Sequence, residues 1–148
     1  MALHGRSDRQ VMRLLNRIYH EDDYFYIHID ARSNYLYYSL KGLGNGRNIF
    51  VAENRFKTIW SGTSLLQMYL NALQKILEMD WKMDFVTTIS GADYILQTPE
   101  KFKDYLSKNI GKNFLSGRHN TGSSWPKTFM VLNWPLGCQI NLFALILN

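Results

Sequence analysis

The chain has a single cysteine, Cys138, which excludes an internal disulfide framework and any metal site built from several cysteines. Its histidines, His4, His20, His28 and His119, follow no metal-ligand spacing. The one close acidic pair, Asp22-Asp23 beside Glu21, falls on a predicted turn between a helix and a strand. It reads as a solvated bend and not as the paired-aspartate motif that holds a divalent ion against a diphosphate. Gly42-Leu43-Gly44-Asn45-Gly46 lacks both a preceding strand and the Lys-Ser/Thr ending of a phosphate loop, so it reads as a turn. No resident metal or cofactor is required by these residues. The longest apolar stretch, 129–147, is interrupted by Asn133, Pro135, Gln139 and Asn141, whereas a bilayer span wants about 20 predominantly apolar residues. Met1-Ala2-Leu3 runs straight into His4-Gly5-Arg6, which is not the pattern of a secretion signal. There is no internal repeat and no low-complexity linker.

What is present fits one globular domain. The 148 residues are 46% apolar and 14% aromatic, enough to bury a core. The 17 Lys and Arg residues against 12 acidic ones favour an acidic partner without choosing among a nucleotide, a nucleic acid, an acidic peptide and an anionic surface. Nucleic acid ranks last, because the basic residues are not interleaved with aromatics as in a stacking platform.

The hydropathy pattern alternates helix and strand. Ser7 is placed to cap a helix through about His20, with Val11, Leu14, Leu15 and Ile18 lining one face. Residues 24–29 read as a buried strand, 33–43 as a short helix closed by Gly42 and Gly44, and 48–52 as a second strand. Ser61 is a possible N-cap for the most periodic helix, in which Leu65, Leu66, Tyr69, Leu70, Leu73, Ile76 and Leu77 recur through about Met79. A β-branched run within 84–89 predicts a strand, Thr98-Pro99-Glu100 opens a helix to about Asn109, and 112–115 is a candidate fourth strand. Strands separated by helices of this length imply right-handed crossovers and a mainly parallel sheet, so the fold class is α/β.

Two features mark the ends. Only Met1-Ala2-Leu3 supplies the strand expected before the first helix, and residues 119–148 contain no Asp or Glu and only Lys127 among Lys and Arg. The expectation is a partial domain over 1–118 followed by a divergent low-charge tail over 119–148, a misread gene boundary being one account of the tail and a buried C-terminal segment the other.

Three segments gather polar or glycine residues at the carboxyl ends of strand-like runs, where open α/β sheets bind ligands. Asp30 ends Tyr26-Ile27-His28-Ile29 and precedes Ala31-Arg32-Ser33; its carboxylate can accept from a ribose or a base imide, or it can cap the next helix or pair with Arg32. His28, flanked by apolar neighbours, reads as a hydrogen-bonded core histidine. Thr58-Ile59-Trp60-Ser61-Gly62 precedes the long helix, whose free N–H groups favour an anion, although an ordinary capped helix also fits and Trp60 taken by itself reads first as core. In Ser90-Gly91-Ala92-Asp93-Tyr94, Gly91 permits close backbone approach and Asp93 offers an acceptor in a loop that otherwise merely turns. Arg6, Arg9, Arg13 and Arg17 form a basic stripe on the first helix, either a solvated outer face or a surface that steers an acidic peptide.

Taken with His4-Gly5-Arg6, these blocks resemble, in order and spacing, the donor-binding half of peptide O-xylosyltransferases of the branching-enzyme superfamily, from about His4 to about Leu115. The resemblance implies a truncated GT-A-like, Rossmann-type domain that binds UDP-xylose for transfer to serine in the Ser-Gly sequences of proteoglycan core peptides. It implies UDP-sugar contacts at Asp30, Thr58, Ile59, Trp60 and Ala2, with Asp93 of second rank, no metal, and no assignable catalytic base. The family's proline after the aromatic of the Asp93 loop is replaced here by Ile95. A type II membrane protein of the Golgi or endoplasmic reticulum is implied for the full-length protein. The alternatives are a branching N-acetylglucosaminyltransferase and a nucleotide-binding module without turnover.

Overall fold

In the computed structural model the described residues are 1–44, 48–59, 62–112 and 114, with the backbones of 132–133 and 139–140. Strand β1 (Ala2–Leu3) is followed by α1 (Asp8–Ile18), β2 (Phe25–Ile29), α2 (Asn34–Leu40), a 3-10 turn (Lys41–Gly44), β3 (Ile49–Val51), α3 (Thr63–Glu78) and α4 (Pro99–Ser107). A short antiparallel pair, β4 (Leu132–Asn133) and β5 (Gln139–Ile140), comes last.

The main sheet has the order β1-β2-β3 and both pairings are parallel, with Leu3 beside Ile29 and Phe25 beside Ile49. All five residues of β2 are buried, as expected of a strand covered on both faces. Side chains alternate along it. Phe25, Ile27 and Ile29 enter a core with Val11, Leu14, Leu15 and Ile18 of α1, Leu36 and Leu40 of α2, and Leu106 of α4. Tyr26 belongs to a second core with Ala52 and Ile76 of α3. Helices therefore flank both faces of a parallel sheet, the α/β architecture expected from the sequence.

Helix α1 follows its sequence closely. Ser7 is the N-cap, its hydroxyl accepting from the Gln10 N–H at 3.2 Å, and the four periodic residues are the buried ones. A cap is worth about 1 kcal/mol, and burying each aliphatic side chain about 1.5–3 kcal/mol. Docking of the apolar face, more than the cap, holds the helix. Helix α4 likewise has Thr98 as N-cap and Pro99 in its first turn.

Several expectations are corrected. The 84–89 segment carries only single bridge residues, Phe85 and Thr87, in place of a full strand, and Ser90 just after it makes an isolated parallel bridge to Ala2: Ala2 N–H donates to Ile89 O at 2.8 Å and Gly91 N–H to Ala2 O at 3.1 Å. A two-residue β1 offers no longer ladder. The 33–43 helix is α-helical only over Asn34–Leu40 and tightens into the 3-10 turn. At 112–115, Lys112 and Phe114 are not in a strand, while 113 and 115 lie outside the described residues. Helix α3 is capped by Gly62; Ser61 lies outside the described residues. Of its apolar face only Ile76 is fully buried, joined by Met68, while Leu77 is exposed, because the narrow sheet meets only part of a long helix.

The acidic bend also differs. Asp23 is 0% exposed, and Lys103 of α4 donates to its Oδ1 at 3.1 Å while lying 3.2 Å from His20 Nδ1. A partner 80 residues away turns an expected solvated aspartate into half of an ion pair. The basic stripe is also divided. Arg6, Arg9 and Arg13 are exposed, whereas Arg17 donates to the carbonyls of Ile95, Leu96 and Gln97 at 3.2–3.4 Å and holds that loop on α1.

The tail over 119–148 lies outside the described residues except for the backbones of β4 and β5. Among the described residues no helix is long and apolar enough to cross a membrane.

Candidate functional site

Parallel pairing brings the carboxyl ends of β1, β2 and the 84–90 segment to one edge of the sheet, so His4, Asp30 and the Ser90–Asp93 turn share that edge. His28 on β2 and Asp30 just past its end, two residues apart, project from the face that carries Tyr26. The chain leaving β3 crosses this face as an irregular segment over 52–59, and the two polar side chains hold it there. Phe56 N–H donates to His28 Nε2 at 3.0 Å, and Thr58 donates to Asp30 Oδ2 through its N–H at 2.7 Å and its hydroxyl at 2.8 Å.

The rest of the segment is equally accounted for. Ala31 N–H donates to Phe56 O at 3.0 Å and Arg32 Nη2 to Thr58 O at 2.5 Å. Ile59 N–H donates to Ser64 Oγ at 2.9 Å, and Gly62 N–H to Ile59 O at 2.9 Å. Arg55 donates to Asn34 Oδ1 and lies over the Tyr37 ring, 4.2 Å from its centroid, tying the segment to α2. The result is a loop without regular secondary structure whose backbone groups at Phe56, Thr58 and Ile59 are nevertheless fixed. Such preorganisation suits ligand binding, since less ordering remains to be done when the ligand arrives.

Asp30 is the anchor. It is 1% exposed, and its Oδ1 accepts from Arg32 N–H and Nε at 2.9 and 2.8 Å, its Oδ2 from Arg32 Nη2 at 2.9 Å and from Thr58. The Arg32 side chain first, then backbone and hydroxyl donors, hold this carboxyl far below the usual carboxylate range despite burial. Pairing with Arg32, one of the two roles weighed from the sequence, is the one observed; a ligand contact with Asp30 would have to replace one of these donors. His4 Nδ1 stands 3.8 Å from Asp30 Oδ1 and is 58% exposed. Burial pushes His28 down to about 4, consistent with a neutral ring whose Nε2 accepts a hydrogen bond.

The other expected site residues are placed as follows. Thr58 is joined to Asp30, and Ile59 follows with its side chain 66% exposed. Trp60 lies outside the described residues. Ala2 is near, but its N–H and C=O are both spent on the bridge to 89–91. Asp93 is exposed and closes its own turn, its Oδ2 accepting from Ser90 N–H at 2.7 Å. Gly91 is packed against the chain's own side chains: a Cβ there would lie 2.9 Å from Arg6 Cγ and 3.1 Å from Leu3 Cδ2.

Sequence reasoning missed that His28 pins the loop and that Arg32 reaches Thr58 O. The available signal was parity: two polar residues alternating with isoleucines on a buried strand must share a face and need partners there. Among the described residues no group of three or more His, Cys, Asp and Glu side chains is arranged to hold a metal.

Residues 1–128 match the model of the Core-2/I-branching enzyme family. The chain is 46% identical over 125 residues to mouse xylosyltransferase 2 and 45% to the human protein, alignments that cover 82% of this chain and 14% of each relative. It is 43% identical over 118 residues to xylosyltransferase oxt of Drosophila melanogaster, covering 79% of this chain and 14% of that protein. The chain thus spans about one seventh of the length of these curated relatives. By the match over residues 1–128 and these identities, the chain belongs to the Core-2/I-branching enzyme family.

Proposed function

We propose that this chain is part of the donor-binding domain of a protein xylosyltransferase, and that the 56–60 segment with Asp30, Arg32 and Ala2 forms the wall of a UDP-xylose pocket. The observation that carries the reading is the fixing of Thr58 to the buried carboxylate of Asp30 at the carboxyl edge of a parallel sheet. Exposed Ile59 beside the Arg32 guanidinium gives the rim both apolar and cationic character, suited to a nucleoside diphosphate. Asp93, on the neighbouring turn, is a candidate of second rank. The donor would be UDP-xylose, and the acceptor a serine in a Ser-Gly sequence of a proteoglycan core peptide. Transfer would displace UDP by the serine hydroxyl with a carboxylate general base, a role assigned to no residue here. The setting proposed for the full-length protein is the lumen of the Golgi or endoplasmic reticulum. The names of the relatives favour xylose over the N-acetylglucosamine used by branching enzymes.

Saturation-transfer NMR with UDP, run beside a radiolabelled xylose-transfer assay on a Ser-Gly peptide, tests the reading. Binding with transfer supports it in full, and binding without transfer reduces this chain to a nucleotide-binding module. Absence of UDP binding overturns it.

A further inference from the structure

The carboxylate of Asp30 is enclosed, whereas the guanidinium that covers it is not: Asp30 is 1% exposed and Arg32 47%. Arg32 Nε and both Nη2 hydrogens are committed, to Asp30 Oδ1, Asp30 Oδ2 and Thr58 O. The Nη1 hydrogens have no hydrogen-bond partner among the described residues. A bidentate carboxylate and a third acceptor fix the plane of the fork, so its free end is held without the rotamer freedom of an ordinary surface arginine. The site thus presents outward a donor, not the acceptor that Asp30 alone would have offered. His4, half exposed beside the same carboxylate, adds a second polar group at this edge.

We propose that Arg32 is a ligand-binding residue of this site, donating from Nη1 to an oxygen acceptor of the bound nucleotide, with Asp30 behind it as a positioning residue. The inference rests on the nucleotide reading given above. The acceptor chemistry has two sources in a uridine diphosphate: a carbonyl of the base and an oxygen of the diphosphate.

The test is titration of the 148-residue chain and its Arg32→Lys variant with UDP, uridine and inorganic pyrophosphate. Lysine keeps the charge and loses the fork. Loss of one charge-assisted hydrogen bond is expected to weaken UDP by roughly tenfold or more. Parallel weakening of uridine with pyrophosphate unchanged assigns the base carbonyl; the converse assigns the diphosphate. Equal weakening of all ligands would mean that Arg32 only supports the loop, which overturns the inference. So does unchanged UDP affinity. If the unsubstituted chain binds no UDP, the nucleotide reading itself fails and takes this inference with it. Should Arg32→Lys not fold, the guanidinium signals of Arg32 in the unsubstituted chain decide: they must shift on addition of UDP, and unmoved signals overturn the proposal.

Discussion

Asp30 Oδ2 accepts two hydrogen bonds from one residue, the backbone N–H of Thr58 at 2.7 Å and its hydroxyl at 2.8 Å. The contact joins positions 28 residues apart and fixes the loop before α3 to the end of β2. Removing the hydroxyl leaves a buried carboxylate short of one donor, while the backbone bond persists. Thr58→Val is therefore expected to lower stability by about 1–2 kcal/mol and to weaken UDP binding, with Thr58→Ser close to the unsubstituted protein. Urea unfolding monitored by tryptophan fluorescence measures the first effect, and calorimetric titration the second.

His28 gives the protein a pH dependence of defined sign. Its folded value is lowered from 6.5 to about 4 by burial, so between those values the unfolded chain binds a proton that the native chain does not. The His28 contribution is full above about 6.5 and falls as the pH drops toward 4, by at most about 3.5 kcal/mol at roughly 1.4 kcal/mol per unit. Asp30, lowered chiefly by Arg32, contributes in a separate window below its ordinary value of 3.8, where stability is again lost as pH falls. His28→Gln should reduce the slope of the unfolding free energy between pH 4 and 6.5, leaving the part above about 5 that the buried Met1 amino group contributes; a slope unchanged from the unsubstituted protein would refute the assignment.

Lys103→Met takes the ammonium away from the buried Asp23 carboxylate, and loss of one partner from a buried pair costs about 3 kcal/mol. Adding Asp23→Asn to that variant removes the buried charge that Lys103 faced and should restore part of the loss. A double-mutant cycle in guanidinium chloride reads the coupling, and simple additivity would show that the two side chains are energetically independent.

Gly91→Ala places a methyl 2.9 Å from Arg6 Cγ and 3.1 Å from Leu3 Cδ2. Overpacking of this kind costs about 1–3 kcal/mol. In an Arg6→Ala background one of the two obstacles is gone, so the cost of Gly91→Ala should shrink, as judged from thermal melts of the four proteins.

The elements most legible in the sequence were those whose burial repeats at a local period. The buried face of α1 is the one its spacing gives, β2 is an apolar run covered on both sides, and Thr98-Pro99 starts α4. The site was legible in part: Asp30 and Thr58 stood out as separate candidates, and their direct contact did not. Position and composition alone left Asp23 in solvent and Arg17 on an outer face, because neither reports a partner on a distant element.

Local sequence determined where α1, α3, α4 and the buried strand β2 form, and the alternation that runs through β2 to the residue after it determined that His28 and Asp30 share a face. Only the tertiary structure decided what they hold. A carboxylate, an arginine and a threonine carry the same hydrogen-bonding capacity in any fold, and burial at the carboxyl edge of the parallel sheet turns Asp30 inward toward Thr58 while leaving the guanidinium of Arg32 facing out.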